Sequence, residues 1–99
     1  MILVVGHLKF APAQFAALKP AIRAMVEATR MEDGCHLYAF AEDAVEPGVL
    51  RIAERWSNWD ALAAHGRTGH MAAWRAALKD AAPSERSVLA YAAGETRQL

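Results

Sequence analysis

The sequence predicts an α+β domain of the ferredoxin-like type, with the order βαββαβ and an antiparallel sheet covered by helices on one face. Three observations carry this. Four short stretches rich in Ile, Val, Leu and aromatic residues are bounded by Pro, Gly, Asp or Ser. Longer stretches between the first and second of them, and between the third and fourth, repeat their apolar residues at helical spacing. Only a short loop containing Pro47-Gly48 separates the second and third, so those two pair as a hairpin.

Residues 2–10 open the chain as a strand, apolar and rich in Ile and Val, that stops before Ala11-Pro12. Alternation puts Ile2, Val4, Leu8 and Phe10 on one face and Leu3, Val5, His7 and Lys9 on the other. Pro12 suits the first turn of a helix, where its missing N–H costs nothing. Phe15, Leu18, Ile22, Met25 and Val26 then recur at helical spacing to about Met31, with Pro20 inside as an expected kink. Glu32-Asp33-Gly34 ends that helix, Gly34 being free to take a positive φ.

The second strand covers residues 35–43, with His36, Tyr38 and Phe40 on one face and Cys35, Leu37 and Ala39 on the other. Residues 49–57 return as the third strand, which places Leu50, Ile52, Glu54 and Trp56 together. Asn58 is a good N-cap for a short helix whose inward side is Trp59, Leu62 and Ala63, broken by Gly66 and Gly69. A further helical run over residues 70–82 carries Met71, Trp74, Ala77 and Leu78, and Pro83 stops it. Residues 87–93 form the last strand, and residues 94–99 a polar tail.

With 99 residues, a single domain over 1–99 is expected. Apolar residues make up 55% of the chain, above the ~45–50% of ordinary soluble domains, although alanine supplies part of the excess. The helices cover one sheet face and no element remains for the other, where Val5, Leu37, Ala39, Val49 and Ala53 are expected. A homodimer packed through that face is therefore expected. Eleven Lys and Arg balance 11 Asp and Glu, and no basic stripe exists to hold a phosphate backbone, which argues against nucleic acid. The single cysteine, Cys35, fits a reducing compartment. The opening MILVVGHLKF is too short to cross a membrane and lacks the basic start and cleavage site of a signal peptide. A cytoplasmic protein without a membrane partner is expected.

The chemistry is concentrated between Leu50 and His70. No glycine-rich phosphate loop, CxxC or HExxH occurs, and Ser57, Ser84 and Ser87 lie in no nucleophile motif. His65 and His70 are five positions apart, about 140° of rotation on a continuous helix, so no metal site is expected of them. Glu54 is more informative, because the alternation that turns Leu50 and Ile52 toward the helices turns this carboxylate inward as well. A carboxylate there must be paired, protonated or facing a cleft, since burying it alone costs several kcal/mol. His65 is the candidate partner. The pair is either a lock between helix and sheet or a proton-handling site in an apolar pocket. Trp56, Trp59 and Trp74 are core packing or the walls of a pocket for a flat aromatic. His7 is either a strand-edge residue or a polar group on the pocket wall.

Taken in order, R30-x-E32-D33-G34-C35-x-x-Y38, E54-x-W56, A61-L62-x-x-H65 and T68-x-H70-M71 resemble the antibiotic biosynthesis monooxygenase domain family. The resemblance implies a ferredoxin-like domain that dimerises into an α+β barrel. It also implies a monooxygenase that uses O2 without flavin, haem or metal on a small aromatic such as a quinol or anthrone. By the same resemblance His65 is the candidate base or hydrogen-bond donor, with Glu54 orienting it, and His7, Tyr38, Trp56, His70 and Trp74 line the pocket. The haem-degrading branch carries a tryptophan about where His65 stands, and its iron-ligating histidine falls near Trp74 or Arg75, so haem degradation is disfavoured. Two other functions fit the same sequence. One is a non-catalytic dimeric protein that binds small molecules or serves a stress response. The other is an isomerase or lyase that shuttles protons through Glu54 and His65.

Overall fold

The computed structural model describes residues 1–99. The elements follow the sequence closely: β1 (Ile2–Lys9), α1 (Pro12–Thr29), β2 (Cys35–Glu42), β3 (Val49–Trp56), α2 (Trp59–Gly66), α3 (Gly69–Ala81) and β4 (Glu85–Ala92). The strands form one antiparallel sheet in the order β2-β3-β1-β4. This is the ferredoxin-like βαββαβ arrangement, with the second helical layer split in two. Residues 94–99 adopt no regular structure. No helix is long and apolar enough to cross a membrane.

The helices pack on the face that carries Ile2, Val4, Leu8, Leu50, Ile52 and Trp56, all buried. α1 adds Phe15, Leu18, Met25 and Val26 to this core, and α3 adds Trp74 and Leu78. Pro20 does not divide α1, which runs on as one helix. It lies on the exposed side together with Ala16, four residues earlier, so water can reach the carbonyl that loses its partner.

Three details depart from simple alternation. Cys35 pairs with Trp56 while Leu37 pairs with Arg55, which leaves His36 as an extra residue in a bulge. Cys35 therefore packs toward the core rather than away from it. Trp59, expected inward, is 53% exposed, because it is the first residue of α2 and sits at the rim. Val49, expected on the uncovered face, is buried at the start of β3.

The opposite face of the sheet has no covering element. Leu3, Val5, Leu37, Leu89 and Tyr91 are 36–56% exposed there, and Val5 stands opposite Leu89 in the β1–β4 register. Together these side chains leave an apolar patch on a regular sheet open to solvent.

Candidate functional site

Glu54 points where strand parity requires, into the space between sheet and helices, and it is 7% exposed. Its partner is not His65. The Trp56 indole N–H, two residues on and on the same face, donates to Glu54 Oε1 at 2.8 Å. Burial pushes the Glu54 carboxyl above its ordinary value; the Trp56 hydrogen bond opposes this and the charge of Glu32 adds to it.

The residue that orients His65 is Glu32, whose Oε2 lies 2.6 Å from His65 Nδ1 and 2.8 Å from His70 Nε2. Local structure explains how residues 33 positions apart meet. Gly34 has a φ of +79°, the left-handed conformation that turns the chain sharply after α1. A Cβ on Gly34 would lie 2.8 Å from Ala61 Cβ, so α2 packs directly on this turn. The Asn58 side chain caps α2 by accepting from the Ala61 N–H at 2.9 Å. These contacts hold Glu32 beside the last turn of α2, where His65 lies. Thr68 then caps α3 by accepting from the Met71 N–H, and its hydroxyl donates to the His65 carbonyl at 2.8 Å. The chain turns between α2 and α3, so His65 and His70 are not on one continuous helix, and both rings reach the same carboxylate.

Both rings donate to the same oxygen, which sets their tautomers. His65 carries its proton on Nδ1, and Nε2 presents a lone pair. Nε2 lies 3.4 Å from the Tyr38 hydroxyl, a long contact. Burial lowers the His65 pKa, and this outweighs the opposing pull of Glu32. Burial, reinforced by the charge of Glu54, drives the Tyr38 phenol well above its ordinary value, so it stays protonated.

His65, Glu54 and Tyr38 face a cavity of about 610 Å³, within the range of small-molecule sites. Its walls are largely apolar and include Val4, Phe40, Ile52, Leu62, Met71, Trp74 and Leu78. Arg75, Lys79 and Arg86 line it as well, and Arg75 Nη2 donates to the Gly66 carbonyl.

Four of the seven expected site residues line this cavity: Glu54, His65, Tyr38 and Trp74. Trp56 stands behind Glu54, fully buried, and does not reach it. His70 also lies outside it, bonded to the same Glu32 oxygen and lining a smaller pocket beside Met25. His7 is on the other face of the sheet, 3.6 Å from Glu85, because its parity is that of Leu3 and Val5. Glu32 was missed as His65's partner. Its only local signal was a helix-ending Glu-Asp-Gly, which says nothing about a histidine on a distant helix. Glu32, His65 and His70 each offer one ligating atom, all within 4.8 Å of one another, so the cluster has the composition and spacing to hold a divalent cation. The same three atoms also satisfy one another as hydrogen-bonding partners.

The fold and this site define a ferredoxin-like domain with a carboxylate-oriented histidine at an apolar cavity. The family model for antibiotic biosynthesis monooxygenases matches residues 1–77, and the chain belongs to that family. Solved structures agree. A Deinococcus radiodurans protein assigned to the same monooxygenase class is 32% identical, with 100% of this chain and 98% of that one covered and a TM-score of 0.92. A Caulobacter crescentus protein of the same assignment is 31% identical over 95% and 90% of the two chains, with a TM-score of 0.76. Rv0793 from Mycobacterium tuberculosis is 28% identical over 98% of each chain, with a TM-score of 0.87. No curated protein matches the chain.

Proposed function

We propose that this protein is a cofactor-independent monooxygenase that oxidises a quinol- or anthrone-like aromatic with O2. The observation that carries the reading is the setting of His65: Nδ1 is held by Glu32, the ring lines an apolar cavity, and Nε2 has only the long contact to the Tyr38 hydroxyl. A neutral imidazole so held is a general base. It takes the substrate's phenolic or enolic proton at Nε2, and Glu32 stabilises the imidazolium that forms. The apolar walls around His65 leave the bound substrate anion poorly solvated and electron-rich. That anion passes one electron to O2, and the substrate radical and superoxide then join through a new C–O bond. The peroxide takes a proton from the imidazolium. Loss of water breaks the O–O bond and leaves a carbonyl, so an anthrone CH2 and O2 become a quinone C=O and H2O. The Arg75 charge, beside Gly66 and His65, supports the anionic stages.

The same reading gives the bare sheet face to a second copy of the chain, so that the working form is a homodimer.

Oxygen uptake with 1,8-dihydroxyanthrone, measured after exhaustive chelation and corrected for autoxidation, tests the proposal. The expected result is one O2 consumed per anthrone, insensitive to chelator, and a fall of about 10²-fold or more in His65→Ala. Uptake no faster than autoxidation, or an unchanged rate in His65→Ala, refutes it. Thermal stabilisation by the anthrone without oxygen uptake would instead support a binding protein.

A further inference from the structure

The two ends of the cavity differ chemically. Val4 and Leu8 of β1 both face it. Level with Val4 are Glu54 on β3 and Ala90 on β4, and Tyr38 stands opposite Glu54. This is the end that holds His65. Level with Leu8 is Arg86 on β4, joined by Lys79 from the last turn of α3. Four residues of strand separate the two levels, about 13 Å at ~3.3 Å per residue.

Lys79 and Arg86 make no ion pair and no side-chain hydrogen bond. Glu85, the neighbour of Arg86 in sequence, is engaged with His7 on the other face of the sheet. Glu54 is the only carboxylate lining the cavity, and it lies at the opposite end. The chain as a whole carries 11 cationic and 11 acidic residues, so three cations, Arg75, Lys79 and Arg86, against one carboxylate in one cavity reflect placement rather than composition. Two like charges from different elements at the exposed rim of an apolar cavity raise its affinity for an anion.

We infer that the cavity takes an elongated aromatic acid, its phenolic or enolic hydroxyl at His65 and its carboxylate between Lys79 and Arg86. This rests on His65 being the base of the proposed reaction and adds the substrate class. Side chains reach in from both levels and shorten the span. The hydroxyl and carboxylate must therefore sit at opposite ends of a fused two-ring framework, not on adjacent carbons.

Calorimetric titration of the full chain with three redox-inert probes tests this: 6-hydroxy-2-naphthoate, its methyl ester, and 3-hydroxy-2-naphthoate, whose groups are adjacent. 6-Hydroxy-2-naphthoate binds about tenfold or more tighter than its ester, as a charge-assisted contact requires. The advantage shrinks with added salt and disappears in Lys79→Gln/Arg86→Gln, whose side chains are exposed and whose melting curve confirms folding. 3-Hydroxy-2-naphthoate binds no better than the ester. Equal binding of acid and ester, an advantage that survives in the double variant, equal binding of the two acids, or no binding of any probe overturns the inference. The anthrone assay keeps the two ideas apart. His65-dependent oxygen uptake without any preference for the acid removes the carboxylate subsite alone. A preference for the acid with His65-independent uptake upholds the subsite and removes the base.

Discussion

Replacing Glu32 by Gln tests the central geometry, because it keeps the shape and removes the charge. Glu32 accepts two hydrogen bonds at one oxygen, from His65 at 2.6 Å and His70 at 2.8 Å. The side chains of Glu32, His65 and His70 are 15%, 5% and 25% exposed, so solvent screens little of the His65 bond and more of the His70 bond. Hydrogen bonds to a charged group contribute ~1.5–3 kcal/mol each, against ~0.5–1.5 for neutral ones. Loss of the charge therefore costs about 2 kcal/mol of stability across the pair. The functional consequence is larger. A glutamine amide that turns its NH2 toward His65 Nδ1 forces the ring proton onto Nε2, and the Nε2 lone pair is lost. A base in the wrong tautomer forfeits about 10²–10⁴ in rate. Two measurements check this: oxygen uptake with 1,8-dihydroxyanthrone, and long-range nitrogen–proton NMR of the imidazoles. The wild type should show an unprotonated Nε2 on His65, and Glu32→Gln a protonated or mixed one. Glu54→Gln should leave the His65 tautomer unchanged. The reasoning is refuted by a wild-type proton on Nε2, by a wild-type rate in Glu32→Gln, or by a tautomer that responds to Glu54 and not to Glu32.

Four further outcomes are expected. Burial raises the Glu54 pKa above 4.5 and lowers that of His65 below 6.5. The stability from Glu54 is thus present below pH 4.5 and is lost as pH rises through its folded value, while that from His65 is present above pH 6.5 and is lost as pH falls through its folded value. Melting temperatures of Glu54→Gln relative to wild type should rise with pH above 4.5, and the acid limb of the oxidation rate should lie below 6.5; a flat difference, or a limb on the alkaline side, contradicts the assignments. Gly34→Ala should cost ~1–2 kcal/mol from its left-handed backbone alone, and more from the contact with Ala61; denaturant titration measures it, and an unaltered midpoint would mean the turn is not held against α2. Val5→Glu combined with Leu89→Glu should convert a dimer to a monomer in light scattering, and a wild type that is already monomeric removes the dimer from the proposal.

Much of the fold was legible in the chain. Period-two and helical spacing, Pro12, Pro83, Asn58 and Gly34 marked the elements, and the parity of β3 correctly turned Glu54 inward. Those signals are local: each depends on the conformation of a few neighbouring residues and on which face must leave water. The bulge at His36 already escaped them, since alternation assumes an unbroken register. The partner of His65 escaped them entirely. Glu54 was the nearer acid in sequence, but Trp56 engages it, and Glu32 arrives from another element because the Gly34 turn and the start of α2 pack together. His70 joins through the turn at Thr68, which cancels the angle a continuous helix would impose. The sequence by itself determined the elements, their order and the inward acid. Only the packed chain decided which carboxylate holds which histidine, because hydrogen-bond partners are chosen by distance in space, and strand and helix periodicities carry no record of it.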